Sequence, residues 1–314
     1  MTSLISPVAL SEAHMECRSL AETVPVLEDF LALERVGEGP GTVMLRHPNS
    51  PWTLAVHEGG PDAPPKQMHN HYGVRVQTKQ EVDAAHAYLT AHKDEYGISE
   101  VTEPEFSHGS YSIYFLEPGT NGLEIECYED VLRKESGGQR LGGVRSHHWD
   151  QPLDPARFPG RGYVPQALTH GTLACGDVAV SGKFYREGLG LDVHEAYADR
   201  VVYVKHPDRK HYIVCARRPE WNTYSPNFRF TVSLGSRDDV FRAREDLQNG
   251  AAGLGIRAVR DVESEGARTS FLVADPDGNW WELGASEAQQ KSSGSVPLQR
   301  SRSISGPFGP SLIC

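Results

Sequence analysis

Cysteine is scarce in this chain, and its spacing forms no recognisable pattern. Among 314 residues there are five cysteines, an odd number, and none forms a C-x-x-C pair. They are scattered along the sequence at Cys17, Cys127, Cys175, Cys215 and Cys314. This usage argues against a disulfide framework and against a cysteine-based zinc knot, and we expect a protein of a reducing cytoplasm.

The sequence also lacks a cluster of basic residues and a long apolar segment. Asp and Glu total 42 against 31 Lys and Arg, which gives a net charge of −11. Such a balance offers no cationic surface to phosphates, so a nucleic acid is not an expected partner. No apolar run approaches the roughly 18 residues of a membrane helix, and the N-terminus has no charged segment before an apolar one. We expect a soluble protein without a membrane partner.

What the sequence does contain is an internal repeat. Three motifs of the first half recur 156 to 158 residues later in the second half. The paired positions are His14 with His170, His71 with Asn227, and Glu124 with Glu282. A chain of this length is expected to form two domains, and the repeat indicates that each half is a copy of the same structure.

Each half contains two smaller repeats of one strand, one helix and several strands. In the first half, Thr78 and Glu81 form a capping box that begins a helix after a strand-like alternation, and Gly97 ends it. In the second half, Ser236 begins the equivalent helix and Gly250 ends it. Short segments rich in β-branched and aromatic residues follow each helix. The prediction is an α+β fold built from four βαβββ units.

The four units divide into two domains joined by an irregular segment. Residues 1–128 are predicted to form an N-terminal domain and residues 165–285 a C-terminal one, with two units in each. Residues 129–164 are rich in Gly and Pro and have little periodicity, so we expect a linker or covering loop. Residues 286–314 contain many serines and few apolar anchors, which predicts a disordered tail.

The repeated positions include side chains that can bind a metal ion. His14, His71 and Glu124 each lie on a predicted strand. Two imidazoles and one carboxylate can occupy one face of an octahedral metal and leave three positions open, as in the facial triad of non-haem iron(II) enzymes. A strand histidine is more often a hydrogen-bonded structural group. Both halves, however, keep a Glu after the same turn, and a buried carboxylate is costly unless it is paired or metal-bound.

The segment 113–124, with the sequence IYFLEPGTNGLE, resembles the signature of type I extradiol dioxygenases. In that signature a tyrosine precedes a Pro-containing turn and the metal-binding Glu. Together with the repeat, it makes the chain similar to the vicinal oxygen chelate superfamily, which includes glyoxalase I, the fosfomycin and bleomycin resistance proteins and the extradiol enzymes. The resemblance covers nearly all of residues 8–285 and implies two tandem domains of this superfamily with curved mixed sheets.

By this resemblance, Tyr114 would be the active-site tyrosine, and Glu124 and His71 would be metal ligands. The third ligand depends on which units pair around the metal. His14 would complete the site if units one and two pair, whereas His170 would complete it if units two and three pair.

A further likeness favours pairing units two and three. The segment 210–214, KHYIV, resembles the strand that carries the acid–base histidine of extradiol enzymes, and Trp52 occupies the matching place in the first half. His211 would then be the acid–base residue of the pocket. The opposite pocket would contain His14, Asn227 and Glu282, and that half would have lost its metal.

Two features depart from the extradiol pattern. Those enzymes usually hold the metal in the C-terminal half, where this chain has Asn227 in place of the second imidazole. In addition, His108 lies closer to Tyr114 than the equivalent histidine of the family does. These departures argue against ring cleavage more than against the predicted fold.

The resemblance implies an iron(II)-dependent dioxygenase, with manganese(II) as the alternative metal. Its substrates would be O2 and a catechol-like aromatic bound through two adjacent oxygens, and the ring would open next to the diol. Two other classes stay open: a metal-dependent isomerase or transferase of the glyoxalase or fosfomycin-resistance kind, and a metal-free protein that binds a small drug. Sheets of this kind often associate, so we expect a homo-oligomer.

Overall fold

A computed structural model describes residues 3–63, 68, 70–107, 110–119, 121–128, 152–196, 199–207 and 211–286. These residues form two curved nine-stranded mixed sheets with helices packed against them. The predicted α+β class is therefore confirmed. Most of the predicted linker (residues 129–151) and the predicted tail (residues 287–314) lie outside the described residues, as does His108.

The first sheet combines strands from both ends of the chain. Its order is β15-β17-β18-β14-β1-β4-β3-β2, with β16 paired to β17. The strands are β1 Ala9–Cys17, β2 Glu34–Gly39, β3 Thr42–Arg46, β4 Thr53–Glu58, β14 Arg229–Ser233, β15 Ala258–Val259, β16 Glu263–Glu265, β17 Arg268–Ala274 and β18 Trp280–Ser286. Its strands therefore belong to units one and four.

The second sheet is made by the two central units. Its order is β11-β12-β13-β10-β5-β9-β8-β6, with β7 paired to β8. The strands are β5 Tyr72–Arg75, β6 Glu100–Val101, β7 Glu105–Ser107, β8 Ser110–Leu116, β9 Gly122–Cys127, β10 Ala167–Cys175, β11 Asp192–Ala196, β12 Val201–Lys205 and β13 Tyr212–Arg217. Units two and three thus share one sheet, and each sheet takes one unit from each half of the sequence.

Each unit contributes one helix in the described part of the chain. The helices are α1 Leu20–Leu31, α2 Lys79–His92, α3 Val178–Lys183, which continues into a π turn at Phe184–Gly188, and α4 Arg237–Leu254. None of them is long and apolar enough to cross a membrane.

The predicted helix starts are correct, but the predicted ends are not. Thr78 and Glu81 form the capping box of α2, and the Ser236 side chain accepts a hydrogen bond at the start of α4. Gly250 lies inside α4, which ends at Gly255 with a φ of 68°. Helix α2 likewise ends at His92, before Gly97. Gly97 has a φ of 66°, but it closes the turn that follows α2 rather than the helix itself. The position of a glycine in the sequence therefore does not by itself give the end of a helix.

The second sheet has two different faces. Tyr72 points toward the first sheet, where its hydroxyl donates to the His14 carbonyl over 2.7 Å and its ring lies 6.2 Å from that of Phe230. Helix α2 packs on the same side, against β8 and β9. Because side chains alternate along a strand, His71 and Gly73 belong to the opposite face. That face carries the cavity described below.

Candidate metal centre

Three predicted ligands meet on the open face of the second sheet. The Nε2 atoms of His71 and His170 lie 3.0 and 2.9 Å from the same Glu124 oxygen and 3.3 Å from each other. All three side chains are buried, and their donor atoms lie within 4.8 Å of one another. Two imidazoles and one carboxylate thus converge on one point.

Neighbouring strands place these ligands. His71 directly precedes β5, and Glu124 in β9 is paired with Gly73 of β5. His170 of β10 is also paired with Gly73, next to an irregularity that follows Leu168. A Cβ atom on Gly73 would lie 2.1 Å from His170 Cε1, so the ring occupies space that only glycine leaves open.

Hydrogen bonds orient both imidazoles. His71 Nδ1 lies 2.7 Å from the Met68 carbonyl, which can only accept, so Nδ1 donates to it and Nε2 is the nitrogen turned toward Glu124 and available to a metal ion. His170 Nδ1 lies 3.2 Å from Thr169 Oγ1 and 3.3 Å from Glu126 Oε1. A ligand histidine held by a carbonyl or a carboxylate through its other nitrogen is typical of metal sites.

A buried ion pair supports His170 from behind. Arg75 Nη2 lies 2.5 Å from Glu126 Oε1 and donates to the Tyr212 hydroxyl over 2.8 Å. The Tyr212 ring stacks on the His170 ring with centroids 5.4 Å apart. No sequence motif marked Glu126 or Arg75. Each lies two residues beyond a position of the site on the same strand face, and this spacing is the signal that could have found them.

The charges of the centre favour a cation. Burial raises the pKa of Glu124, but hydrogen bonds and charge from His170 and His71 hold it well below its usual value. Burial lowers the pKa of His170, and the charge of Glu126 with the hydrogen bond to Glu124 overcomes this effect and raises it to about 9. The carboxylates thus hold positive charge at this point, and a divalent cation could take the place of the proton.

Local symmetry indicates three candidate protein ligands at this centre rather than four. Units two and three are related about the antiparallel pair Tyr72–Gly171, which makes His71 and His170 equivalent. Tyr72 is paired with Leu123, and Gly171 is paired with Ile213. The equivalent of Glu124 is therefore Val214, which cannot bind a metal.

A cavity of about 350 Å³ opens in front of the centre. Tyr114 lies on its wall, with its ring 5.2 Å from that of His71. Burial and the Glu124 charge raise the pKa of Tyr114 far above its ordinary value, so its hydroxyl remains protonated and can donate. The described lining is formed by Met68, His71, Glu105, Ser110, Tyr114, Glu124, Glu126, Tyr128, His170, Thr172, Val201, Tyr203, Tyr212, Val214, Ala216 and Arg218.

The structure contradicts the expected place of His211. Its Nε2 atom lies 2.7 Å from the Leu10 carbonyl of the first sheet, and its ring stacks on Trp52 with centroids 4.8 Å apart. Tyr212 lines the cavity, so the residue before it must face the other side of the strand. The prediction that His211 lies in the metal pocket is wrong, because it belongs to the core between the sheets.

The structure also corrects how the two halves correspond. In the second sheet His170 is paired with Gly73, and in the first sheet Glu12 is paired with Thr231 at the same point of the same register. The equivalent positions are therefore His170 with Glu12, His71 with Arg229, and Glu124 with Glu282, all 158 residues apart. The pairings of His14 with His170 and of His71 with Asn227 are displaced by two residues.

His14 lies in the first sheet, within a cluster of charges, and does not join His71. In this cluster Arg268 Nη2 lies 2.9 Å from both Glu12 and Glu282, and Arg229 Nε lies 2.8 Å from Glu282. Burial opposes ionisation, but hydrogen bonds from His14 and Arg268 lower the pKa of Glu12 to about 2. Two guanidinium groups thus supply the positive charge that a metal would bring.

Asn227 lies apart from this cluster and donates to a Glu16 oxygen over 2.7 Å. It therefore does not stand in the place of a lost imidazole ligand. Arg229 occupies that place.

Comparison with known proteins agrees with this architecture. Residues 167–283 match the model of the glyoxalase/bleomycin resistance protein/dioxygenase superfamily. No curated protein matches the sequence.

Solved structures share the fold at low sequence identity. Glyoxalase I from Zea mays is 15% identical, with 92% of this chain and 95% of that chain covered and a TM-score of 0.59. A proposed dioxygenase from Bacillus subtilis is 13% identical, with 90% and 86% covered and a TM-score of 0.56. At such identities the likeness concerns the fold alone.

Proposed function

We propose that the chain is a member of the glyoxalase/bleomycin resistance protein/dioxygenase superfamily, whose model matches residues 167–283, and that it is an iron(II)-dependent, extradiol-type dioxygenase acting on a catechol-like aromatic. One observation carries the proposal: His71, Glu124 and His170 converge, and the symmetry-related fourth position is Val214. Three protein ligands leave room for a substrate that binds through two oxygens and for O2.

The donor set fits a hard or borderline divalent cation. Imidazole and carboxylate suit iron(II), and manganese(II) is the alternative because it accepts the same ligands. When bound, such an ion would acidify two adjacent hydroxyl groups and bring O2 next to them. His71 and His170 would hold it through Nε2, and Glu124 through a carboxylate oxygen.

The chain's own residues hold and orient the substrate. Tyr114, protonated beside His71, would donate a hydrogen bond to a substrate oxygen and stabilise the charge that develops there. Tyr203 and Tyr212 line the same cavity and offer aromatic surfaces to a ring. Glu126 and Arg75 keep His170 in place.

A metal-dependent isomerase of the glyoxalase kind is the second candidate. The observation that favours it is the position of His211 in the core. Within the described lining of the cavity, the only imidazoles are then the two ligands. Proton transfer in the pocket would have to use a carboxylate or a tyrosine.

Oxygen uptake by the metal-loaded protein tests the proposal. The chain is purified without oxygen, loaded with iron(II), and mixed with catechol and substituted catechols in an oxygen electrode, while absorbance follows the ring-opened product. We expect one O2 consumed for each ring opened. Isomerisation of a hemithioacetal without oxygen uptake would replace this function with the second candidate, and failure to retain any metal would support a metal-free binding protein.

A matched pair of tyrosines tests the role of the pocket. Tyr114→Phe should lower kcat on the order of 100-fold, because one donor to the reacting oxygens is lost. Tyr111→Phe is the control, since its hydroxyl lies on the same strand but donates to Asp83 at the surface. Equal losses in both variants would contradict the assigned role.

A further inference from the structure

The cavity continues away from the metal centre along an apolar wall. Tyr212, Val214 and Ala216 of β13 line it in succession, and Val201 and Tyr203 of the neighbouring β12 line it beside them. Tyr203 and Tyr212 form a small hydrophobic cluster that is separate from the main core, with Val201 and Val214 packed against it. This wall offers an elongated apolar surface rather than a site for one ring.

An arginine lies where this wall ends. Arg218 continues the alternation of β13, and its backbone N–H donates to the Cys175 carbonyl over 2.9 Å, so it remains in register with β10. It lies six residues beyond Tyr212, which corresponds to roughly 20 Å along a strand. The Arg218 side chain is long, so its guanidinium can lie closer to the metal centre than its backbone does.

The Arg218 side chain is half-buried and lines the cavity. Within the part of the chain that the structure describes, it makes no hydrogen bond or ion pair. Of the carboxylates that line the cavity, Glu124 and Glu126 are engaged by the imidazoles and by Arg75, whereas Glu105 is exposed. A cation in a largely apolar cavity gains most from a bound anion.

The neighbouring arginine shows the contrast. Arg217 precedes Arg218, points to the other side of β13, is exposed, and forms an ion pair with Asp199 over 2.9 Å. Its charge is compensated at the surface, while that of Arg218 faces the cavity.

We propose that the cavity takes an elongated substrate whose far end carries a carboxylate bound by Arg218. The body of this substrate, apolar or aromatic, would pack on Val201, Val214 and Ala216. Its other end would carry the two adjacent oxygens, and only that part rests on the proposed function. The planar guanidinium matches a carboxylate with two parallel hydrogen bonds, so Arg218 is the residue that selects acids over neutral analogues.

Binding of simple probes tests this anionic subsite without turnover. The probes are phenylalkanoates with side chains of two to six methylene groups and the matching primary amides. The full-length chain is treated with a chelator first, because a carboxylate could otherwise bind a metal. Isothermal titration should show acids binding about 10-fold more tightly than amides, with the preference largest for the longer chains.

Two variants locate the preference. Arg218→Gln should abolish it, and Arg217→Gln should leave it as in the wild type. No preference in the wild type, or a preference that survives in Arg218→Gln, would overturn the proposal. If acids are preferred but catechols cause no oxygen uptake, the anionic subsite stands and the dioxygenase function falls. If catechols cause oxygen uptake but acids are not preferred, the dioxygenase function stands and only the anionic subsite is disproved.

Discussion

The imidazole of His170 lies directly on the backbone of Gly73. A Cβ atom on Gly73 would be 2.1 Å from Cε1 and 2.6 Å from Nε2 of that ring. At the equivalent point of the other sheet the residue is Thr231, and the partner strand there carries Glu12 instead of a histidine. A glycine is therefore required only where an imidazole must lie flat on the sheet.

Gly73→Ala should weaken metal binding while the fold is retained. The added methyl group displaces the His170 ring, and loss of its orientation should cost about 10- to 100-fold in affinity. Competition with a chelating dye measures the effect. Gly39→Ala, at a position with no neighbour within 4 Å, is the control and should bind like the wild type. Unchanged affinity in Gly73→Ala would contradict the assigned place of His170.

Equivalent positions in the two sheets should differ in metal binding. His170→Ala should reduce bound metal close to zero, since one of three ligands is lost. Glu12→Ala should leave about one metal ion per chain, because its carboxylate is paired with Arg268 and not with a metal. The measurement is the number of metal ions per chain, quantified after gel filtration. Two ions in the wild type, with one lost in Glu12→Ala, would show that the charge cluster is itself a metal site.

His211→Leu should affect stability and leave the pocket unchanged. The substitution removes the contact with the Leu10 carbonyl and the stacking on Trp52. We expect the free energy of unfolding to fall by about 1–3 kcal/mol, measured in urea. Metal content and turnover per folded molecule should stay at wild-type values. A loss of kcat with unchanged stability would contradict this assignment and indicate that His211 acts in the pocket.

The charge cluster should make stability depend on acid pH. The pKa of Glu12 is lowered from 4.5 to about 2 in the folded chain, with burial opposing the shift and His14 and Arg268 causing it. Because the folded-state pKa is the lower one, Glu12 stabilises the fold fully above pH 4.5, and this stabilisation is lost as the pH falls toward 2.

Removal of the arginine tests this dependence. In Arg268→Met the decline of unfolding free energy between pH 4.5 and 2 should be shallower than in the wild type. Arg244→Met is the control, because it removes a surface pair with Asp261. The same slope in Arg268→Met and the wild type would mean that Arg268 does not hold the Glu12 charge.

Local sequence features predicted much of the candidate site. The turn and strand around Tyr114 and Glu124 lie within a dozen residues, so their spacing is set by one hairpin. The helix starts at Thr78 and Ser236 and the alternating strands indicated the repeated units for the same reason. His71 was found because it begins one of these units.

The long-range relationships were beyond the sequence. His14 lies beside His71 if units one and two pair, and His170 does if units two and three pair. The connections along the chain permit either arrangement. The pairing of β5 with β10, an antiparallel contact between residues about 100 positions apart, makes that choice.

The sequence by itself determined the units, the kind of candidate ligands and the position of two of them, because these depend on contacts between neighbours in the chain. The tertiary structure alone decided the third candidate ligand, the two-residue correction of the repeat and the exclusion of His211 from the cavity. Successive side chains of a strand point to opposite faces of the sheet, so a shift of one residue moves a side chain from the pocket to the core. Only the pairing of distant strands establishes which face of the sheet lines the pocket and which packs in the core.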